Sequence, residues 1–194
     1  MEIGATKAVQ ARLKTTKIEE SKGASLVFCW DTHLTKIKGR NVLFIVNASN
    51  RYTIAMTDIQ PRNWNYYTMY IRSVIHGVMQ EMGYSEDQIG QYFKMSGDTT
   101  VTKTHGRKSV GGINRMVMDA QYFGKKLEKE AKYQWELSEY LNRDICQPEG
   151  FDAYGYPSEL FKLDMERLGI AAKRKPAKII DFTKYIDTNR STNH

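Results

Sequence analysis

The residues best suited to chemistry lie in one run, VTKTHGRKSVGGINRM, from Val101 to Met116. Lys103, Arg107, Lys108 and Arg115 are cations, Ser109 is a capping type, and Gly111 and Gly112 let another group approach the backbone closely. With a helix expected to begin near Ser109 to Gly112, these residues surround its first turn. Unpaired N–H groups and the positive end of the helix dipole favour an anion there, and a guanidinium alongside adds charge-assisted donors. A phosphate or carboxylate is therefore the expected ligand class. The bland alternative is a tight turn capped by Ser109, with the cations solvated. The run is not a phosphate-binding loop of the G-x-x-x-x-G-K-[ST] order, and G-x-G-x-x-G is absent.

Three other places carry weaker signals. The tail, AAKRKPAKIIDFTKYI, joins Lys173, Arg174 and Lys175 to an apolar stretch, and such an arm can neutralise phosphates without reading sequence. The cluster NWNYYTMY, Asn63 to Tyr70, could stack on bases, but Trp64, Tyr67 and Ile71 share a helix face and are expected in the core. Cys29, Asp31 and His33 fall on one side of a strand, where two of them with His105 offer zinc-type donors. Paired-ligand spacing is missing, so no metal or cofactor is assigned. His76 reads as a satisfied helix histidine. No hydrolase, metalloprotease or kinase motif occurs, and no catalytic residue is assigned.

These residues must be positioned by an α+β fold. MEIGATKAV reads as a strand, and SLVFCWDTHLTKI, NVLFIVN and YTIAMTDI read as an antiparallel meander whose middle strand is apolar on both faces and hence central and covered by helices. From Trp64 to Met82 the apolar period becomes helical, with Gly83 as the stop. Ser85 and Gln88 form a capping-box pattern for a shorter helix. A strand near Thr99 to Thr104 precedes a helix that presents Ile113, Met116, Ala120 and Phe123 and extends towards Leu141. SELFKLDMERL, ended by Gly169, is the last helix. The expected fold is a mostly antiparallel sheet, a meander plus added strands, packed against several helices. Residues 1–169 are expected as a single domain and 170–194 as a basic tail.

The run TKTHGRKSVGGINRM also resembles a signature of a bacterial and phage family catalogued as a domain of unknown function, similar to K-T-x-x-R-S-V-L-G-S-M-N-D. Lys103, Thr104, Arg107, Val110, Gly111 and Asn114 fit it in place. Lys108 stands where that family tends to have Ser, and Arg115 where it tends to have Asp, so this copy is the more basic. The resemblance extends to Thr6-Lys7, to NVLFIVNASNRYTIAM and to YPSELFK, up to about Leu168. It implies one compact domain, permits a phage origin, and brings no activity with it.

At 194 residues, 41% of them hydrophobic, the chain can bury a core, and it has no apolar run long enough to cross a bilayer. No secretory h-region opens it, and Cys29 and Cys146 read as free thiols, so the expected compartment is the cytoplasm. The formal charge of +7 is uneven: residues 170–194 carry six bases and two acids, residues 1–25 five bases and three acids. Such ends favour polyanions. The function expected from the sequence is a non-enzymatic protein that engages nucleic acid or a nucleoprotein complex, in a regulatory or inhibitory role. The alternatives are a phage or mobile-element inhibitor acting purely by protein contact on a host nucleoprotein machine, such as a CRISPR effector, and a small phosphate-handling enzyme with His105 as its base.

Overall fold

In the computed structural model, which describes residues 1–13 and 17–172, strand alternation becomes a meander of β2 (Cys29–Ile37), β3 (Arg40–Asn47) and β4 (Thr53–Thr57), paired antiparallel. Lys38 and Gly39 both take positive φ, 49° and 82°, which gives the two-residue turn whose twist matches a hairpin. β1 (Glu2–Ala5) runs parallel to β2 on one side and to β5 (Thr100–Thr102) on the other, so the order is β4-β3-β2-β1-β5. The α+β class stands, with a mixed sheet rather than a purely antiparallel one. The opening strand is also shorter than MEIGATKAV suggests. Thr6 N–H still donates to Thr32 O, but Thr6 O accepts from Val9 and Gln10, which turns the chain into α1 (Lys7–Gln10).

Helices cover both faces. Leu43, Ile45 and Ile54 pack with α3 (Tyr67–Glu81), α4 (Glu86–Ser96) and α7 (Pro157–Arg167) through Ile71, Ile75, Ile89, Phe161 and Met165. Val42, Phe44, Val46 and Ala55 pack on the opposite face with α5 (Gly106–Gln121) and α6 (Trp135–Asn142) through Ile113, Met116, Ala120, Leu137 and Leu141. The continuous apolar run of β3 thus serves two cores, as expected, while the middle of the five strands is β2. Each Val, Leu, Ile, Phe or Met among them stabilises the fold by about 1.5–3 kcal/mol when fully enclosed.

Two expected long helices are divided. The segment after Pro61 is α2 (Pro61–Asn65) and α3, broken at Tyr66 (φ −112°, ψ 41°). The helix expected to reach Leu141 stops at Gln121. Between α5 and α6 the backbone bonds the free edge of β4 instead, Thr57 N–H to Lys132 O (2.7 Å) and Gln134 N–H to Ala55 O (2.9 Å). Covering an edge strand satisfies its exposed groups, a demand that helix periodicity does not register. The capping box of Ser85 and Gln88 is present, and Gly83 and Gly169 adopt the positive φ expected of helix stops. Tyr67 is buried, with Trp64 stacked on it at 5.7 Å, in keeping with a core role for that pair. Among the described residues no helix is long and apolar enough to cross a membrane, and both cysteines are free and buried.

Candidate functional site

β1 has a parallel neighbour on each side, and α1 and α5 leave the carboxyl ends of β1 and β5. Three parallel strands, β2, β1 and β5, therefore present their carboxyl ends together, the side on which open α/β sheets form ligand crevices. α5 begins at Gly106 (φ 86°), three residues earlier than expected, with His105 before it and no side-chain cap from its own first turn. The cap comes from across the sheet. Asp31 of β2 accepts the His105 backbone N–H on both carboxylate oxygens, at 3.2 and 3.3 Å, and also accepts from Ser109 Oγ. A carboxylate against the first turn also answers the positive end of the helix dipole.

His105 extends this contact into a buried chain of charges. Its Nδ1 lies 2.7 Å from Asp31 Oδ1 and its Nε2 lies 3.0 Å from Glu2 Oε2, with the His105, Asp31 and Glu2 side chains at most 5% exposed. Ser21 Oγ (2.6 Å) and the Lys22 N–H (2.7 Å) donate to the same Glu2 carboxylate. Gly4 makes the arrangement possible. It is the register partner of Asp31, and a Cβ there would fall on Asp31 Oδ1 and within 3.1 Å of His105 Nδ1. A glycine inside a strand commonly marks such a close approach.

Burial by itself would lower the His105 pKa. The hydrogen bond to Asp31, helped by Cys29 and by the Asp31 charge, outweighs burial and pushes it up to about 10. Burial likewise favours a protonated Glu2, but the Ser21, Lys22 and His105 donors reverse this and hold the carboxyl below its ordinary value. The raised pKa favours the charged imidazole, which is bonded at both nitrogens and enclosed. To act as the base of the phosphate-handling reading, His105 has to give up a proton and one of its carboxylate partners.

The predicted anion-site residues divide into two groups. Ser109 and Gly112 face inward: Ser109 bonds Asp31, and Gly112 O accepts from Arg51 Nη2 at 2.8 Å, with the guanidinium where a Gly112 side chain would lie. The glycine pair is thus inside the helix and not at its start, because Asp31 nucleates the helix at His105. Arg107, Gly111 and Arg115 face outward together with Asn114. Lys103 pairs with Glu20, Lys108 Nζ donates to Pro148 O at 3.3 Å, and Arg115 pairs with Asp119 at 3.1 Å. Arg107 has no hydrogen-bonding or ionic partner among the described residues. It lines a shallow concavity of about 450 Å³ with Thr104, Gly106, Val110, Gly111 and Asn114. Lys173, Arg174 and Lys175 lie outside the described residues.

Other expectations are met differently. Cys29, Asp31 and His33 do share a face, yet His33 Nδ1 turns to Thr6 Oγ1 at 3.3 Å, while Glu2, which periodicity did not single out, joins Cys29 and His105. An acid in an otherwise apolar opening strand is the signal that could have found Glu2. His76 Nε2 meets Glu86 at 3.0 Å on the surface, a satisfied helix histidine. The NASNRY stretch is structural: Asn47 Oδ1 accepts from Ser49 and Asn50 N–H, and Asn50 Nδ2 donates to the buried Asp164 at 2.9 Å.

The family described as a domain of unknown function (DUF6933) matches residues 2–160, a span that includes every strand, the buried charge chain and the outward face of α5. No curated protein and no solved structure matches the chain.

Proposed function

The chain belongs to the DUF6933 family, a domain of unknown function, and we propose that it is a non-enzymatic binding protein that engages nucleic acid or a nucleoprotein complex through the exposed start of α5. The observation that carries this reading is Arg107, an unpaired guanidinium at the lip of a concavity beside a helix start whose inner side is already fastened. A solvated cation on a rigid element loses little on meeting a phosphate. Lys103 and Arg115 sit in exposed ion pairs worth about 0–1 kcal/mol, so exchange of their carboxylate partners for phosphates costs little. Lys173, Arg174 and Lys175 extend the same basic character, and with Lys108 they supply neutralisation that positions a strand without reading its sequence.

A second reading is contact with a protein alone. It is favoured by Met118 (59% exposed) and Tyr122 (79% exposed), which continue the stripe of Arg107, Gly111 and Asn114 along α5. Salt separates the two readings. Fluorescence anisotropy with labelled random DNA and RNA, over a salt series, should show affinity falling steeply with salt, and Arg107→Ala should reduce the salt slope by about one phosphate contact. Replacing Lys173, Arg174 and Lys175 with alanine should weaken binding uniformly. No binding at low salt sinks the nucleic-acid reading and leaves a protein partner as the object of search.

A further inference from the structure

We infer that Glu2, Cys29 and His105 form a binding site for one thiophilic divalent cation of the zinc type. The Glu2 carboxylate, Cys29 Sγ and a ring nitrogen of His105 all lie within 4.8 Å of one another. Sulfur, imidazole and carboxylate together are a donor set that zinc accepts readily and that magnesium or calcium does not favour. Bond lengths of about 2.0–2.3 Å place the ligand atoms of a tetrahedron roughly 3.3–3.7 Å apart. The Glu2 to His105 separation of 3.0 Å therefore needs to open by less than about 1 Å to admit the ion, which takes the place of the Nε2 proton and releases that proton and the Cys29 thiol proton to water.

The three donors come from three elements that the sheet brings together. Glu2 and Cys29 are register partners on β1 and β2, so their side chains leave the same face side by side, and His105 descends onto that face from the start of α5. Two further contacts have the form of outer support for a metal ligand. Asp31 Oδ1 holds His105 Nδ1 at 2.7 Å, which aims Nε2 at the site, the carboxylate–histidine relay that surrounds many zinc ions. Ser21 Oγ and the Lys22 N–H hold the Glu2 carboxylate from its other side. The ion chain of Glu2, His105 and Asp31 is complete in its carboxylates and imidazole, and Cys29 adds a sulfur beside it, with Sγ also 3.6 and 3.5 Å from Ala24 O and Ser25 O. Three protein donors leave one tetrahedral position for water.

The test uses full-length protein stripped with a chelator and titrated with Co²⁺, whose ligand-field and thiolate charge-transfer absorption report geometry and sulfur together. The expected result is saturation at one ion per chain, displacement by Zn²⁺, and a rise in melting temperature with Zn²⁺. Cys29→Ser should lose the charge-transfer band and bind at least tenfold more weakly, whereas Cys146→Ser should keep both. If Cys29→Ser fails to fold, zinc-edge X-ray absorption of the wild type decides, with one sulfur at about 2.3 Å expected beside nitrogen or oxygen ligands. The inference is overturned by absence of stoichiometric uptake, by a coordination shell without sulfur, or by a signal that follows Cys146.

Discussion

Asp31→Asn is the sharpest probe of how the candidate site is held. The native carboxylate accepts from the His105 backbone N–H, the His105 ring and Ser109 Oγ, and it carries the charge that keeps the imidazolium ionised beneath α5. Asparagine keeps the shape but removes the charge and turns one acceptor into a donor. Breaking a buried ion pair from one side costs about 3–5 kcal/mol. The raised His105 pKa, to which the Asp31 hydrogen bond and charge contribute, points in the same direction. That loss is a substantial part of the roughly 5–15 kcal/mol that holds a domain folded. Urea denaturation of chelator-treated protein, wild type against variant, should show a lower midpoint at an unchanged slope. The pH dependence is the stricter test. A histidine whose folded pKa is raised contributes fully below its ordinary value of 6.5, and the contribution is lost as pH climbs towards about 10. The wild-type advantage over Asp31→Asn should accordingly be greatest near pH 6 and shrink through that window. A difference below about 1 kcal/mol at pH 6, or one that stays constant to pH 10, would refute the reasoning, since a charged pair must then contribute little.

Two further predictions concern glycines that the same geometry singles out. Gly4→Ala should reduce soluble yield or lower the melting temperature by many degrees, because the added methyl falls on Asp31 in a strand paired on both sides; a near-native melting curve would contradict the close packing. Gly111→Ala adds its methyl in open space on a helix and should stabilise by about 0.5–1 kcal/mol. At the adjacent position, Gly112→Ala meets Arg51 Nε at 3.0 Å and endangers the Arg51 bond to Gly112 O, so thermal denaturation should show that gain missing or reversed.

The meander was legible because alternation and a two-residue turn report on one sheet face at a time, and the continuous apolar run of β3 announced two covered faces. The helices built on Ile71, Ile89 and Phe161 were legible from their period for the same reason. What escaped was decided by partners distant in sequence. α5 starts at His105 and not near Ser109 because a carboxylate 74 residues earlier supplies its cap. The α5 to α6 segment is not helical because β4 has an edge to be covered. Parallel pairing of β1 was hidden as well, since a strand of only four residues carries no mark of direction. Within the candidate site, the shared face of Cys29 and Asp31 followed from strand periodicity. The convergence of Glu2 and His105 upon it required the sheet order.

The same distinction bears on what the motif is for. Of its residues, Ser109 and Gly112 have tasks that the fold requires, one fastening the helix to Asp31 and the other receiving Arg51 from the β3–β4 turn. Arg107, Gly111 and Asn114 recur at steps of four and three on the opposite face, where they line the concavity and have no hydrogen-bonding partner among the described residues for their side chains. On the proposed reading, an unpaired guanidinium and an amide on a helix whose other side is fastened to the sheet by a buried ion chain offer a ligand donors already ordered, so that only side-chain freedom is lost on contact. It follows that the two halves of the motif should separate experimentally: Arg107→Ala and Asn114→Ala should lower affinity for a polyanion while leaving the urea midpoint unchanged, whereas Ser109→Ala should lower the midpoint. If Arg107→Ala moved the midpoint and left affinity intact, the outward face would be part of the fold and the interface would lie elsewhere.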